Sequence, residues 1–218
     1  PENFISSIVK DPTKPKEMRV YAMRYLDNLD QHKELLISFL DKENDPEIRL
    51  EVIFSLRNYP DKQIAHELLQ MALDQNSQLI RSEALLALSN QPTDDWKEII
   101  PLLEVEEENV ALEAARFLRS KVSDEDVRKR FEEKLNSNPG ENLKQQLMLG
   151  LNNILPDRPD RSEEKAWQEL LAGKGDVERG RRVFYSNTSL CSGCHAMEGR
   201  GGDLGPDLSN VGKSKDRN

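Results

Sequence analysis

The feature that most constrains the fold of this chain is a repeat of about thirty residues that fills its first two thirds. Leucines close the repeated segments at steps of 30, 32, 30 and 33 residues: Leu26, Leu56, Leu88, Leu118 and Leu151. A period in this range is typical of helical units that bury their apolar faces against neighbouring units. We therefore predict an array of about five helix pairs over residues 1–155.

Helix signals accompany the repeat. Apolar residues recur at three- and four-residue spacing, as at Leu50, Ile53 and Phe54, and Asp45 before Pro46 has the form of an N-cap followed by a first-turn proline. The first helices of the pairs are predicted at His32–Asp41, Gln63–Leu73, Asp94–Leu103 and Asp124–Leu135, with Asp61, Thr93 and Asp124 as caps. The closing helices are predicted at Lys16–Leu26, Asp45–Leu56, Ser77–Leu88, Asn109–Leu118 and Asn142–Leu151. No alternating strand pattern of useful length occurs, so the predicted fold class is all-α.

An arginine stands at the same place in three of the repeated segments, as Arg19, Arg49 and Arg81, and Ala111 replaces it in the fourth. Residues 1–155 thereby resemble short bacterial HEAT-like repeats, in which an arginine on the second helix follows an Asp-Pro-type cap. The resemblance implies a HEAT-like α-solenoid.

The composition changes after the repeats. Pro156 and Pro159 interrupt helix formation in a polar stretch, so residues 156–162 are predicted to be a linker before a second domain at 163–218. From Arg161 onward the chain has 10 Lys and Arg against 9 Asp and Glu, a net charge of +1. Since the whole chain has a net charge of −9, residues 1–160 have a net charge of −10. An acidic array is a poor nucleic-acid binder. No apolar run approaches the length that spans a membrane.

The second domain contains the only two cysteines of the chain, Cys191 and Cys194, followed at once by His195. This spacing is the attachment pattern of c-type haem. Thiols three residues apart lie on one face of a helical turn and can add to the two vinyl groups, and the histidine can then bind the iron as proximal ligand. Two other uses of the cysteines stay open: a zinc site, for which no second Cys/His cluster is present, and a redox pair, for which no strand–helix setting is visible.

Residues 176–212 resemble the opening of a small cytochrome c domain, closest to the haem-binding modules joined to HEAT-like repeats in large exported proteins of Planctomycetes. Besides the attachment pattern, the resemblance is carried by Gly175-Asp176, Arg179-Gly180-Arg181, Val183-Phe184 and Gly205-Pro206-Asp207-Leu208. It implies that the Pro206 carbonyl accepts a hydrogen bond from the ligand His195, and that Leu208 and Phe184 pack near the haem. It also implies that Gly180 permits close contact with the last helix of the domain.

The chain departs from that family after the Gly-Pro loop. It stops at Asn218, 23 residues past His195, without the terminal helix and the methionine that usually supplies a sixth ligand. Met197 is too near His195 to reach the opposite haem face, and Met18, Met23, Met71 and Met148 are expected to be packing residues. We therefore expect this chain to be a piece of a longer protein. Its haem c is expected to be absent when the chain is made without attachment machinery.

Other chemistry-bearing residues have simpler interpretations. His32, His66, Trp96 and Trp167 are expected at the surface or in helix packing, the run from Glu104 to Glu108 in a solvated turn, and Arg200 in an exposed loop. Asp203 and Asp207 are expected to be turn residues of the glycine-rich loop.

The predicted function is electron transfer through the haem, with the repeats as scaffold or docking surface within a larger exported, periplasmic oxidoreductase. The expected partner is a redox protein or an attached dehydrogenase domain. No nucleotide fingerprint or catalytic triad is present, so this piece is not predicted to be an enzyme. Two alternatives are kept: a protein-interaction scaffold whose haem segment is inert, and an oxidase or peroxidase with an open iron site.

Overall fold

The computed structural model describes residues 2–26, 29–41, 44–74, 77–152, 158–173, 175–186 and 189–214. These residues are mostly helical, with a single short hairpin among them, so the predicted all-α class is confirmed. The chain divides into two compact units, an N-terminal unit at Pro1–Pro156 and a C-terminal unit at Asp157–Asn218.

The N-terminal unit consists of helices that pack in pairs. Its α-helices are α1 (Glu2–Lys10), α2 (Lys16–Met23), α3 (Leu29–Ser38), α4 (Pro46–Leu56), α5 (Lys62–Leu73), α6 (Gln78–Leu88), α7 (Glu108–Leu118), α8 (Glu125–Asn136) and α9 (Glu141–Asn152). Two 3₁₀ segments, Trp96–Glu104 and Arg119–Lys121, flank α7.

The closing helices of the pairs contact one another in chain order, α2 with α4, α4 with α6, α6 with α7, and α7 with α9. Each also contacts the helical segment before it: α1, α3, α5, the first 3₁₀ segment and α8 respectively. One continuous apolar cluster runs from Val9 to Leu147 through this unit. The core therefore lies between neighbouring pairs as well as within each pair.

Most of the predicted helix starts are confirmed. The Asp45 carboxylate accepts from the Glu47 amide at 2.9 Å, and Asp61 and Asp124 cap α5 and α8 through the same kind of bond. The prediction for Asp94–Leu103 is wrong in two respects, because the segment is 3₁₀ and begins at Trp96 after Asp95 rather than after a cap at Thr93. Pro101 lies inside it and has no N–H to donate, which disfavours a regular α-helix there.

The repeated arginines tie each closing helix to the end of the helix before it. The Nε atoms of Arg19, Arg49 and Arg81 each donate at 3.0 Å to a main-chain carbonyl nine or ten residues upstream, those of Val9, Leu40 and Ala72. These carbonyls lie at helix ends, where no intrahelical partner is available to them. The arginine pattern therefore has a common structural role in the first three pairs.

The first pair differs from the others at one position. Met18 stands eight residues before its closing leucine and is 48 % exposed, while Ile48 and Ile80 at the same place are 3 % and 2 % exposed. Met18 is therefore not a packing residue, in contrast to the buried Met23 and Met71. In the second and third pairs the closing helix also packs on the closing helix before it, α4 on α2 and α6 on α4.

The C-terminal unit is small and sparsely packed. It contains α10 (Glu164–Leu171), α11 (Val177–Phe184), the single turn α12 (Cys191–Cys194), strands β1 (Ala196–Met197) and β2 (Arg200–Gly201), and α13 (Val211–Ser214). The strands pair antiparallel, with Ala196 opposite Gly201 and Met197 opposite Arg200. Its described buried side chains are Arg182, Phe184 and Tyr185.

Large apolar side chains of this unit are exposed: Leu170, Leu171, Val177, Val183, Leu190, Leu204 and Val211. Among the helices that the structure describes in either unit, none is both long and apolar enough to cross a membrane.

Candidate haem attachment site

The two cysteines lie in one helical turn. Helix α12 begins at Cys191 and ends at Cys194, and the His195 amide closes it by donating to the Cys191 carbonyl at 3.0 Å. Leu190, in the left-handed conformation with φ 58°, turns the chain into this helix. Both thiols are free, Cys191 half-buried and Cys194 exposed. The turn therefore offers two accessible thiols followed immediately by an imidazole.

The imidazole of His195 is held by the Gly-Pro loop. Its Nδ1 atom lies 2.9 Å from the Pro206 carbonyl oxygen. Because a carbonyl can only accept, this contact is a hydrogen bond when Nδ1 carries the ring proton, and in the neutral ring that tautomer has its lone pair on Nε2. A metal-binding histidine is commonly oriented by such a bond from its other nitrogen. The structure thus brings together His195 and Pro206, two of the residues singled out from the sequence.

Main-chain hydrogen bonds bracket that contact. The Gly205 amide donates to the Cys194 carbonyl at 2.7 Å, and the Leu208 amide donates to the Ala196 carbonyl at 2.8 Å. The donors flank Pro206 and the acceptors flank His195, so the loop is fixed on both sides of the imidazole contact. Leu208 is half-buried here and lies beside the motif through this bond.

Glycines allow the loop to approach so closely. A Cβ on Gly205 would lie 2.5 Å from Cε1 and 2.7 Å from Nδ1 of His195, and a Cβ on Gly202 would lie 2.3 Å from the Gly193 carbonyl oxygen. Side chains at these positions would overlap with the motif. The sequence shows a glycine-rich loop, but which glycine contacts the ring is seen only in the structure.

Phe184 reaches the motif indirectly. It is buried at the end of α11 and packs edge-on against Tyr185, with 4.9 Å between ring centroids. The Tyr185 hydroxyl donates to the Met197 carbonyl at 3.0 Å and so ties α11 to strand β1, just after His195. Tyr185 was not identified from the sequence. Gly180 is exposed and a Cβ there would meet nothing within 4 Å, so the close helix contact implied by the resemblance is not made among the described residues.

The remaining candidate residues lie away from this cluster or have structural roles. His32 is buried in α3 and His66 is exposed on α5, both in the N-terminal unit. Asp207 accepts two hydrogen bonds from Ser209, which lower the pKa of its carboxyl, while Asp203 is exposed. Among the described residues no three His, Cys, Asp or Glu side chains come together as a metal site.

The residues present fit a c-type haem in their chemistry. Two thiols stand in one turn, the lone pair of the neutral imidazole lies on the nitrogen that Pro206 leaves open, and exposed apolar side chains adjoin the motif at Leu190 and Leu204. No protein-family model, curated protein or solved structure matches this chain. Function is therefore argued from the site itself.

Proposed function

We propose that the C-terminal unit carries one covalently attached haem c and transfers electrons through it. The observation that carries this proposal is the 2.9 Å contact between His195 Nδ1 and the Pro206 carbonyl, beside a turn that presents two free thiols. A turn with two cysteines that had only a structural role would need no imidazole beside it. A site that binds haem iron needs an imidazole whose Nε2 is available to the metal while Nδ1 is held by another group.

Four residues would hold the haem. Cys191 and Cys194 would each be joined to it by a thioether bond, since a thiol can add across a vinyl group with its hydrogen going to the neighbouring carbon and no group leaving. His195 Nε2 would bind the iron, and Pro206 would keep the ring oriented. When bound, the haem supplies a one-electron iron couple.

The exposed apolar side chains of the C-terminal unit support the binding of an apolar group. Cofactor sites are mostly lined by apolar side chains, and a soluble surface seldom leaves so many exposed in a short segment without a use. Val183, Leu190 and Leu204 lie on α11, before the cysteine turn and in the glycine-rich loop respectively, and all three are exposed. In this proposal these three side chains pack against the bound haem.

We further propose that the N-terminal unit is a HEAT-like α-solenoid that serves as scaffold or docking surface. The ordered contacts of successive closing helices and the shared arginine–carbonyl bonds support this architecture. In this proposal the chain belongs to a larger exported, periplasmic oxidoreductase, and its electron partner is a redox protein or an attached dehydrogenase domain.

The test is to export the full chain into a periplasm with and without the c-type attachment machinery and to measure its intact mass and absorption spectrum. We expect a mass increase of one haem and a Soret band only with the machinery. Replacing both cysteines, Cys191→Ala with Cys194→Ala, should abolish the increase, while Ser192→Ala within the same turn should keep it.

A folded, haem-free chain in the presence of the machinery would overturn this function. That outcome would favour the second candidate, a protein-interaction scaffold. The packed N-terminal unit supports that candidate independently, because its core is continuous without any contribution from a cofactor.

A further inference from the structure

A network of hydrogen bonds follows the Pro206–Asp207 peptide along the chain. The Ser209 amide donates to Asp207 Oδ1 at 2.7 Å, and the Ser209 hydroxyl donates to the same oxygen. The Ser209 hydroxyl in turn accepts from the Glu198 amide at 2.7 Å. This network, here called the Asp207–Ser209 clamp, joins the end of the Gly-Pro loop to the tight turn between β1 and β2.

The clamp fixes the residue to which the Pro206 carbonyl is linked. The Pro206 carbonyl belongs to the peptide that joins Pro206 to Asp207, so its place depends on where Asp207 lies. The Asp207 side chain accepts from both the amide and the hydroxyl of Ser209, and the Ser209 hydroxyl accepts from the amide of Glu198, three residues after His195. The clamp therefore holds Asp207 to the segment that carries the imidazole.

We propose that Asp207 and Ser209 are positioning residues that hold the Pro206 carbonyl toward His195 and thereby fix the imidazole with its proton on Nδ1 and its lone pair on Nε2. The consequence for haem binding rests on the proposed function, but the tautomer itself is a property of the haem-free chain. The clamp therefore prepares the ligand before any metal arrives.

Two features of the structure support this assignment. The hydrogen bonds from Ser209 lower the pKa of Asp207, so its carboxylate is an ionised acceptor at neutral pH. The bracketing bonds of Gly205 and Leu208 hold the loop near the motif, and among the described residues no main-chain hydrogen bond of the Asp207 amide lies between them. The clamp adds a side-chain anchor at Asp207, between those two bonds.

The experiment measures the ring ¹⁵N chemical shifts of His195 by NMR in the full haem-free chain, at a pH where the ring is neutral. Free histidine favours the tautomer with the proton on Nε2, so a dominant Nδ1–H form in the native chain reports the Pro206 contact. We expect Ser209→Ala and Asp207→Ala to move the population toward the Nε2–H form.

Three variants serve as matched controls. Ser209→Thr keeps the hydroxyl and Asp207→Asn keeps an acceptor oxygen, so both should retain the Nδ1–H form. Asp203→Asn removes the same charge from the same loop outside the clamp and should also leave the tautomer unchanged.

The proposal is overturned if the native chain shows mainly the Nε2–H form, or if Ser209→Ala and Asp207→Ala both keep the Nδ1–H form. Retention by Ser209→Thr beside loss in Ser209→Ala excludes general unfolding as the cause. If the native chain shows the Nδ1–H form but never acquires haem, the role of the clamp stands and the proposed electron transfer is overturned. If the protein acquires haem but the tautomer of its haem-free chain does not respond to the clamp variants, the role of the clamp is overturned and electron transfer stands.

Discussion

At the residue scale, the contact of one ring nitrogen of His195 decides which nitrogen could bind a metal. The Pro206 carbonyl accepts a hydrogen bond from Nδ1, and Gly205 leaves the space in which the ring lies. The glycine and the proline therefore act as a pair, one by having no side chain and the other by the direction of its carbonyl. Neither effect involves a charged group.

This pairing predicts that Gly205→Ala damages the site. The added Cβ would lie 2.5 Å from the ring, which forces the ring or the loop to move. We expect a cost of about 1–3 kcal/mol of local stability from overpacking. It can be measured as faster amide exchange at position 205, whose N–H donates to Cys194, together with a loss of haem attachment.

The control is Gly180→Ala, because that glycine is helical, exposed and has open space around its Cβ position. It should be neutral or slightly stabilising, since alanine favours helix by about 1 kcal/mol over glycine. Equal damage from both substitutions would show that the Gly205–His195 contact has no special role.

Sequence reasoning reached only part of this site. The spacing of Cys191, Cys194 and His195 is itself the chemical pattern, and the part played by Pro206 came from a family resemblance. The contacts of Gly205 and of Tyr185 could not be predicted, because they join residues ten and twelve positions away through a loop whose path no local rule determines.

At the element scale, the same repeat position has different surroundings in different pairs. Met18 on α2 is 48 % exposed, while its counterpart Ile48 on α4, a helix that packs against α2, α3 and α6, is 3 % exposed. Repeat units are stabilised by their neighbours, so position in the array matters as much as residue type.

The contrast predicts very different costs for one kind of substitution. Met18→Lys should change the free energy of unfolding by less than about 0.5 kcal/mol, as for an exposed site. Ile48→Lys should cost more than about 3 kcal/mol, because it places an unpaired charge in the core. Urea denaturation of both variants measures the difference, and similar costs would contradict the packing of α2 on α4.

The N-cap of α8, Asp124, is also paired with a lysine. Lys97 donates to Asp124 at 2.9 Å, and this bond, with those from the Val127 and Asp126 amides, holds the pKa of Asp124 below its usual value of 3.8. A carboxyl whose pKa is lower in the folded state than in the unfolded state stabilises the protein at any pH above its unfolded-state pKa. That stabilisation is lost as the pH falls through the folded-state pKa.

Asp124→Asn should therefore flatten the dependence of stability on pH between about pH 5 and the folded pKa of Asp124. Urea midpoints across that range, for the native chain and the variant, test this expectation. Glu125→Gln removes an equal charge from the same helix turn and should leave the acid-side slope unchanged. If stability depends on pH as steeply in Asp124→Asn as in the native chain, the Asp124 carboxylate is not the source of the acid-side loss of stability.

The elements themselves were predictable where local signals agreed with packing. The Asp45-Pro46 start of α4 and the caps Asp61 and Asp124 determine helix starts by local hydrogen bonds. The comparison of the repeated segments does not predict α1, although Ile5, Ile8 and Val9 have helical spacing. Apolar spacing alone does not separate 3₁₀ from α, so it predicts a regular helix around Pro101.

At the scale of the whole molecule, the two units differ in how they obtain a core. The N-terminal unit buries a continuous apolar cluster, whereas few described side chains of the C-terminal unit are buried. Regions with few buried apolar contacts open more easily than packed helices. The units should therefore differ in stability when haem is absent.

Hydrogen exchange of the haem-free chain should show this difference directly. We expect slow exchange in α4, α6 and α7 and fast exchange in α10 and α11. Haem attachment should slow exchange in α11 and around the cysteine turn and leave α4 unchanged. Equal protection of α10 and α6 in the haem-free chain would be inconsistent with the packing described.

The hydrogen bond between His195 and Pro206 also has a consequence for the rate at which a metal would bind. A histidine binds a metal through a ring nitrogen that carries no proton. With the ring proton on Nδ1, facing the Pro206 carbonyl, binding at Nε2 needs no transfer of that proton between the two nitrogens. The site would therefore omit a rearrangement that a histidine with its proton on Nε2 must make.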